Sequence, residues 1–486
     1  MPSIDICPLC KEKPLEDSSK ISDISWLQCD ICGQWFHTFC LKLPQIEINN
    51  LHSYHCTKCS KLHGPSLHKR KSKRSRITVD YAALNDGDTF LLDKTFHPHV
   101  SSFLDFPVNA NEYKKQNPFI DVMDDLTKEY ALSSQLSKPI YIPNVDIEKV
   151  GMKFPISKEK ISINYIADKV GDEESVEVMD VLSQQGVHPG WNVGKWRDYF
   201  NTDEASRDRI RNVISLEISK VEGLGKEFSR PKMVRELDLV DKVWNKDDEQ
   251  ERSQVTKYCL MSVKNSFTDF HIDFGGTSVY YTICKGAKTF LMFPPNDNNL
   301  DLYQTWCLEP NQNFLWFVDY SMTKRGKRIK PSKGFKVTLK AGDLFIIPSG
   351  WIHAVFTPED SIVIGGNFLT LRDMVTQLRI SNIEKQTKVP PKFKFPMFNK
   401  VLWLTSWYYL NNKEGFLSDL RPIIKQEYED NLEYSVLKSL IEKLKSHYEL
   451  SKTNQIARRS IPTTLIGKDI ISYFEKLDNW LRDYEQ

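Results

Sequence analysis

The chain has 486 residues, of which 40% are hydrophobic and 12% aromatic, and its formal net charge at pH 7 is +2. Such a length predicts about three domains at roughly 150 residues each, and the apolar content can bury a sizeable core. The near-neutral balance removes any bulk-charge argument for a polyanionic partner, and no run of about 18 uninterrupted apolar residues suggests a membrane span. The first residues, Met-Pro-Ser-Ile-Asp-Ile-Cys, show no basic segment ahead of an apolar one, so no secretory signal is expected.

Seven of the ten cysteines precede residue 60; the others are Cys259, Cys284 and Cys307. The early ones come in pairs separated by two residues, which predicts metal in a reducing compartment rather than disulfides. The full pattern is Cys7-x2-Cys10-x18-Cys29-x2-Cys32-x4-His37-x2-Cys40-x15-Cys56-x2-Cys59. Eight ligands suffice for two tetrahedral Zn(II) sites, and the short spacer lets both thiolates of a pair reach one ion. So short a segment has little core of its own, so metal supplies most of its folding free energy. His52 and His55 do not fit the pairing and are read as surface residues.

The order of four cysteines, one histidine and three cysteines, with Trp35-Phe36-His37 and Tyr54 before the last pair, resembles a PHD finger. The resemblance implies interleaved ligation: Cys7, Cys10, His37 and Cys40 on one zinc, Cys29, Cys32, Cys56 and Cys59 on the other. It also implies binding of a histone H3 tail, with methylated lysine 4 as a candidate mark. Readers of trimethyl-lysine enclose the cation with aromatic faces. Trp35 and Trp26 match cage positions, and Ile6 stands where several readers have an aromatic residue. The plainer reading of Trp35 is a cover for the zinc core. The finger is expected over residues 4–62.

A basic linker follows over residues 63–78. Lys69, Arg70, Lys71, Lys73, Arg74 and Arg76 place six positive charges in eight residues without an apolar side chain. Such a run cannot bury itself; a nuclear-import signal, non-specific contact with DNA phosphates and a solvated tether all fit it. From residue 79 to about 243 short strand-like and helical patterns alternate. Residues 204–212 look helical and lead into an apolar strand over 213–218. Runs of strand formers then cover 258–263, 277–283, 289–293, 335–339, 344–347 and 361–368, punctuated by Gly and Pro. A second basic stretch over 324–336, with Lys324, Arg325, Lys327, Arg328, Lys330, Lys333 and Lys336, reads as a long loop between barrel strands. The fold class expected is α+β: a double-stranded β-helix, or jelly roll, over 79–395 with its core at about 210–380. Residues 396–486 read as flanking helices over 401–410, 431–449 and 465–481, a buttress or a dimer surface.

Two histidines and an aspartate carry the chemistry. His271 and Asp273 lie in Phe-Thr-Asp-Phe-His-Ile-Asp-Phe-Gly-Gly, and His353 in Pro-Ser-Gly-Trp-Ile-His-Ala-Val. On a strand, positions i and i+2 share a face, so His271 and Asp273 can hold one ion. A histidine from a distant strand completes a 2-His-1-carboxylate triad, which leaves positions on Fe(II) open for a chelating co-substrate and dioxygen.

These stretches, with Asn212-Val-Ile-Ser-Leu-Glu217, resemble the JmjC family of Fe(II)/2-oxoglutarate oxygenases, in particular the branch that demethylates mono- and dimethyl-lysine 36 of histone H3. The resemblance implies that His271, Asp273 and His353 bind iron. It implies that Lys288 pairs with the distal carboxylate of 2-oxoglutarate, that Thr268 and Tyr281 donate hydroxyls to it, and that Asn212 steadies the keto-acid end. Each has a duller account: a surface lysine, two strand-favouring residues and a helix cap. The implied reaction consumes O2 and releases formaldehyde after N-methyl hydroxylation. The partners it implies are nucleosomes in the nucleus. Animal members often add a CxxC DNA-binding module, an F-box and leucine-rich repeats; none is visible, and the arrangement is similar to that of compact fungal demethylases. A JmjC protein hydroxylase and a non-catalytic chromatin reader are the competing readings, and the oligomeric state is open.

Overall fold

The computed structural model describes residues 7–10, 26–41, 43, 48, 51–68, 96–107, 117–187, 190–244, 252–422 and 431–485. Ile6 and the basic run over 69–76 lie outside them. The chain divides into two compact units, Met1–Val79 and Asp80–Gln486.

The first unit is small. Strands Trp26–Gln28 and Trp35–His37 pair antiparallel, and a second short pair joins Leu51–Ser53 to Leu67–His68. Among the described residues its buried ones are Phe36, Tyr54 and four cysteines, with Leu27, Leu43 and Leu51 packed against them. Two large aromatic side chains bury too little apolar area to hold fifty residues together, so metal–thiolate bonds are needed.

The second unit is built on an eleven-stranded sheet. From one edge to the other run Asp121–Val122, Ile140–Ile142, Leu344–Ile347, Ser278–Phe293, Ile352–Phe368, Tyr258–Ser262, Arg211–Glu217, Met179–Asp180 and Gln185–Gly186. Phe267–His271 pairs with Ile352–Phe368, and Phe335–Lys340 with Ser278–Phe293. All these pairings are antiparallel except that of Asp121–Val122 with Ile140–Ile142. The two long strands roll the sheet. The first half of Ser278–Phe293 pairs with Leu344–Ile347, whereas its second half pairs with Phe335–Lys340. The result is the expected α+β jelly roll with helices around it.

A bulge makes the roll possible. The register between the long strands slips between Ile283 and Lys285 and again up to Thr289. Gly286 sits there at φ 72°, and a Cβ on it would lie 2.2 Å from the Asp360 carbonyl oxygen, which only glycine avoids. The slip exchanges the faces. Before it Val279, Tyr281 and Ile283 point into the barrel; after it Phe290 and Met292 do. The Tyr281 and Phe290 rings meet edge-on at 5.3 Å. Lys288, two residues before Phe290, thereby shares the inner face with Tyr281.

The helices form the second core. Phe398–Leu410, Leu432–Ser451 and Ile470–Arg482 bury Val401, Trp403, Leu440, Leu444, Phe474 and Trp480 together. Asp419 anchors them to the front of the unit: it accepts from Lys128 (2.5 Å), Tyr409 (2.7 Å) and Lys242.

Several sequence expectations are corrected. Residues 204–212 are not one helix: Glu204–Ser206 is a single 3₁₀ turn, and the strand Arg211–Glu217 already contains Asn212, paired with Ser262. The runs 277–283 and 289–293 are one strand, because Gly286 bends the backbone without ending it. The run 361–368 is the end of a strand that starts at Ile352 and passes through Pro358. The basic stretch 324–336 is no long loop. Met322–Lys324 and Lys327–Ile329 form a hairpin whose turn residues Arg325 and Gly326 both have positive φ. Lys336 lies in the next strand, buried, with its ammonium on the Leu104 carbonyl at 3.0 Å. The last helix begins at Ile470, because Gly467 at φ 91° ends a separate turn, Thr463–Ile466.

Candidate active site and metal centres

His271 ends the strand Phe267–His271, and His353 faces it across the ladder with Cα positions paired. Asp273 lies just past the strand, still extended (φ −58°, ψ 140°), and caps the turn Phe274–Gly276. The i, i+2 relation therefore holds although only His271 is within the strand. One ligand atom from each of His271, Asp273 and His353 lies within 4.8 Å of the other two. His353 Nε2 stands 3.8 Å from the nearer Asp273 oxygen, and the imidazole centroids are 4.3 Å apart.

The backbone sets the tautomers. His271 Nδ1 donates to the Asp269 carbonyl at 2.8 Å, and His353 Nδ1 to the Trp351 carbonyl at 3.0 Å. Each ring thus keeps its Nε2 lone pair for an ion. Burial, followed by the neighbouring His271, pushes the His353 imidazole well below the usual range, so it is neutral. Burial likewise raises the Asp273 carboxyl, a cost that a cation would offset. Two imidazoles and one carboxylate facing a common point fit a divalent ion of the iron class.

The turn after Asp273 needs its glycines. Gly275 and Gly276 have φ of 63° and 64°. The Gly275 N–H donates to Glu384 at 2.6 Å, and a Cβ on Gly276 would come 3.0 Å from Gln377 Cα and Ile380 Cβ. The helix Met374–Gln386 thus braces the turn that follows the aspartate. Gly276→Ala should cost at least about 1–2 kcal/mol from the left-handed backbone alone. Denaturant unfolding of the oxygenase unit measures this; an unchanged midpoint contradicts it.

Lys288 is 3% exposed. Its ammonium donates to Ser262 Oγ at 2.5 Å and Thr357 Oγ1 at 2.8 Å. Ser262 Oγ in turn donates to Asn212 Oδ1 at 2.6 Å, and Asn212 Nδ2 to Thr268 Oγ1 at 3.4 Å. One hydrogen-bonded chain therefore links Lys288, Asn212 and Thr268, with Tyr281 on the same inner face. Burial alone pushes the Lys288 ammonium down to about 7, and among the described residues no carboxylate pairs with it. A buried cation with a spare N–H fits an anionic ligand. Ser262 and Thr357 had no sequence signal; hydroxyls on strands have no diagnostic spacing.

In the first unit, Cys7, Cys10, His37 and Cys40 form one group and Cys29, Cys32, Cys56 and Cys59 another, each with ligand atoms within 4.8 Å. His37 Nδ1 is 3.5 Å from Cys10 Sγ and 3.7 Å from Cys40 Sγ; Cys32 and Cys56 sulfurs are 3.9 Å apart. Neither His52 nor His55 belongs to a group. Trp26 pairs with His37 and Gln28 with Trp35, so both indoles share one face of the hairpin. The Trp26 ring lies 3.9 Å from that of His37.

Fold and site together define a PHD-bearing enzyme of the JmjC class. Residues 157–373 match the Cupin-like domain, 7–59 the PHD-finger and 373–476 the Jumonji helical domain. The chain is 60% identical to the JmjC domain-containing histone demethylation protein 1 of Debaryomyces hansenii, covering 99% of both chains. It is 57% identical to that of Candida albicans, over 98% of this chain and 97% of the relative. For Saccharomyces cerevisiae the figures are 37%, 85% and 89%. The chain belongs to this family of JmjC domain-containing histone demethylation proteins.

Proposed function

We propose that the chain is an Fe(II)- and 2-oxoglutarate-dependent demethylase of mono- and dimethyl-lysine 36 of histone H3, working on nucleosomes in the nucleus. The observation that carries it is the pairing of a 2-His-1-Asp cluster with an uncompensated buried lysine on the same inner face of the barrel. The relatives' names supply histone demethylation, and the motifs around Asn212, His271 and His353 supply the lysine-36 branch.

His271, Asp273 and His353 hold the iron. Lys288 binds the distal carboxylate of 2-oxoglutarate, Thr268 and Tyr281 donate to it, and Asn212 orients the keto-acid end through Ser262. Burial raises the Tyr281 phenol, which keeps the proton it donates. When bound, ferrous iron with the keto acid and dioxygen supplies oxidation of an N-methyl to an N-hydroxymethyl group, which leaves as formaldehyde while succinate and carbon dioxide form. The residues themselves position the reactants and keep bulk water out; no acid–base pair is required. Two Zn(II) ions on the eight finger ligands hold the finger, and the face with Trp26 and Trp35 takes the H3 tail. The basic run over 69–76 serves import or DNA contact.

Mass spectrometry of dimethylated peptides from several H3 lysines, incubated with Fe(II) and 2-oxoglutarate, tests this. Loss of methyl mass with formaldehyde on the lysine-36 peptide is expected. A persistent gain of one oxygen makes the chain a hydroxylase, and no change with any peptide makes it a reader.

Lys288 gives a pH signature. Its proton is held to 10.5 in an exposed chain but only to about 7 in the fold, so burial costs most below that value and is relieved as pH rises. A bound carboxylate restores the charged form. Keto-acid binding above about pH 7 therefore takes up a proton, and affinity falls by up to about tenfold per pH unit. Calorimetry in buffers of differing ionisation enthalpy reads both; a pH-independent dissociation constant removes Lys288 as the partner.

A further inference from the structure

Outside the iron cluster and the finger, one more group of ligating side chains converges among the described residues. His97, His99 and Asp269 each offer an atom within 4.8 Å of the others. All three are buried, at 2%, 4% and 8% exposure. A bulge in the strand Phe267–His271 creates the group. Thr268 faces Val355 and His271 faces His353, so two residues, Asp269 and Phe270, stand against one, Ala354. Phe270 turns outward into the aromatic core, and Asp269 is left to turn towards His99.

The contacts within the group do not satisfy it. His99 Nδ1 lies 3.1 Å from both oxygens of Asp269. Both His97 Nε2 and His99 Nε2 are buried with no hydrogen-bond partner. If this were only a hydrogen-bonded pair, two ring nitrogens would stay desolvated and unpaired, which is unfavourable. The one competing contact is the His99 backbone N–H donating to His97 Nδ1 at 3.2 Å, a long neutral bond that a cation can displace. The rings are held in place by neighbours: His97 stacks on Phe267 at 5.0 Å and His99 meets Trp316 edge-on at 5.4 Å. Burial pushes the His97 imidazole down to about 4, leaving the neutral form that ligates metal.

We propose that His97, His99 and Asp269 form a second metal site in the oxygenase unit, taking a first-row divalent ion of the zinc class. Two imidazoles and a carboxylate are a zinc donor set, and three protein ligands leave a place for water. The site fixes the bulge from which His271 is aimed, because the Asp269 carbonyl accepts the His271 Nδ1 proton at 2.8 Å. It joins the segment around Val100–Asp105 to the strand that carries the iron-cluster histidine.

The test uses the full chain and Zn(II) as probe, and needs no turnover. Anomalous scattering at the zinc edge from zinc-grown crystals should show a peak among these three side chains, at about 2.0–2.2 Å from nitrogen and oxygen. Peaks in the finger without one here overturn the proposal. In solution, after dialysis against zinc, His99→Gln should hold about one equivalent fewer than the parent chain, with the finger ions retained. Equal stoichiometry in the two overturns it. Should His99→Gln fail to fold, Asp269→Asn and the parent crystals still decide.

Discussion

Asp273→Ala should lower formaldehyde release from a dimethyl-lysine 36 peptide by more than about 100-fold, since even partners that merely orient metal ligands cost about 10–100-fold. Asp273 is the one carboxylate of the cluster, and its loss leaves only the imidazoles of His271 and His353. The variant separates this role from a structural one. In the metal-free protein burial raises the carboxyl, so above its ordinary titration range the carboxylate destabilises the fold and alanine relieves that cost. Unfolding should therefore show the metal-free variant at least as stable as the parent. Excess Fe(II) at about 100 times the dissociation constant should stabilise the parent by about 2.7 kcal/mol and the variant not at all. Activity within tenfold of the parent, or undiminished stabilisation by iron, removes Asp273 from the donor set.

Stripping the finger of its metal should unfold it while the oxygenase unit stays folded. Structural zinc in such small domains contributes about 10–16 kcal/mol of apparent folding free energy. The finger has Phe36 and Tyr54 as its only large buried aromatic residues among those described, far too little to replace that. The second unit has its own cores around Tyr280 and Trp403 and loses nothing. Cys29→Ser should collapse the dispersed finger resonances and abolish H3-tail binding. Demethylation of a short peptide should persist. A finger that stays ordered and binds the tail without metal would contradict the ligand assignment.

Sequence showed most clearly what chemistry fixes by residue identity. Chelation tolerates few side chains, so the eight finger ligands and the His-x-Asp pair stood out, and the structure gathers each set. The strand Leu344–Ile347 matched its apolar run to the residue. Elements shaped by tertiary pairing were harder. Nothing local shows that the backbone runs through Gly286 or Pro358 unbroken, because the pairing strand lies far off in sequence. The charged hairpin at Arg325 hid its strands behind lysines that look like loop. Ser262 and Thr357 support Lys288 only because the register places Ser262 opposite Asn212, and no spacing within one strand reveals that. Asp269 was visible in the motif, but its turn towards His99 depends on a bulge that a single sequence does not disclose.

The slip at Gly286 has a consequence for how this scaffold tolerates change. Tyr281 and Lys288 are an odd number of residues apart, yet both line the chamber, so residue count between them is itself a specificity determinant. With the slip kept, deleting a single amino acid there would swing the ammonium to the outside without altering any functional side chain. Homologues that keep every hallmark residue but differ in length at this point should have lost the co-substrate.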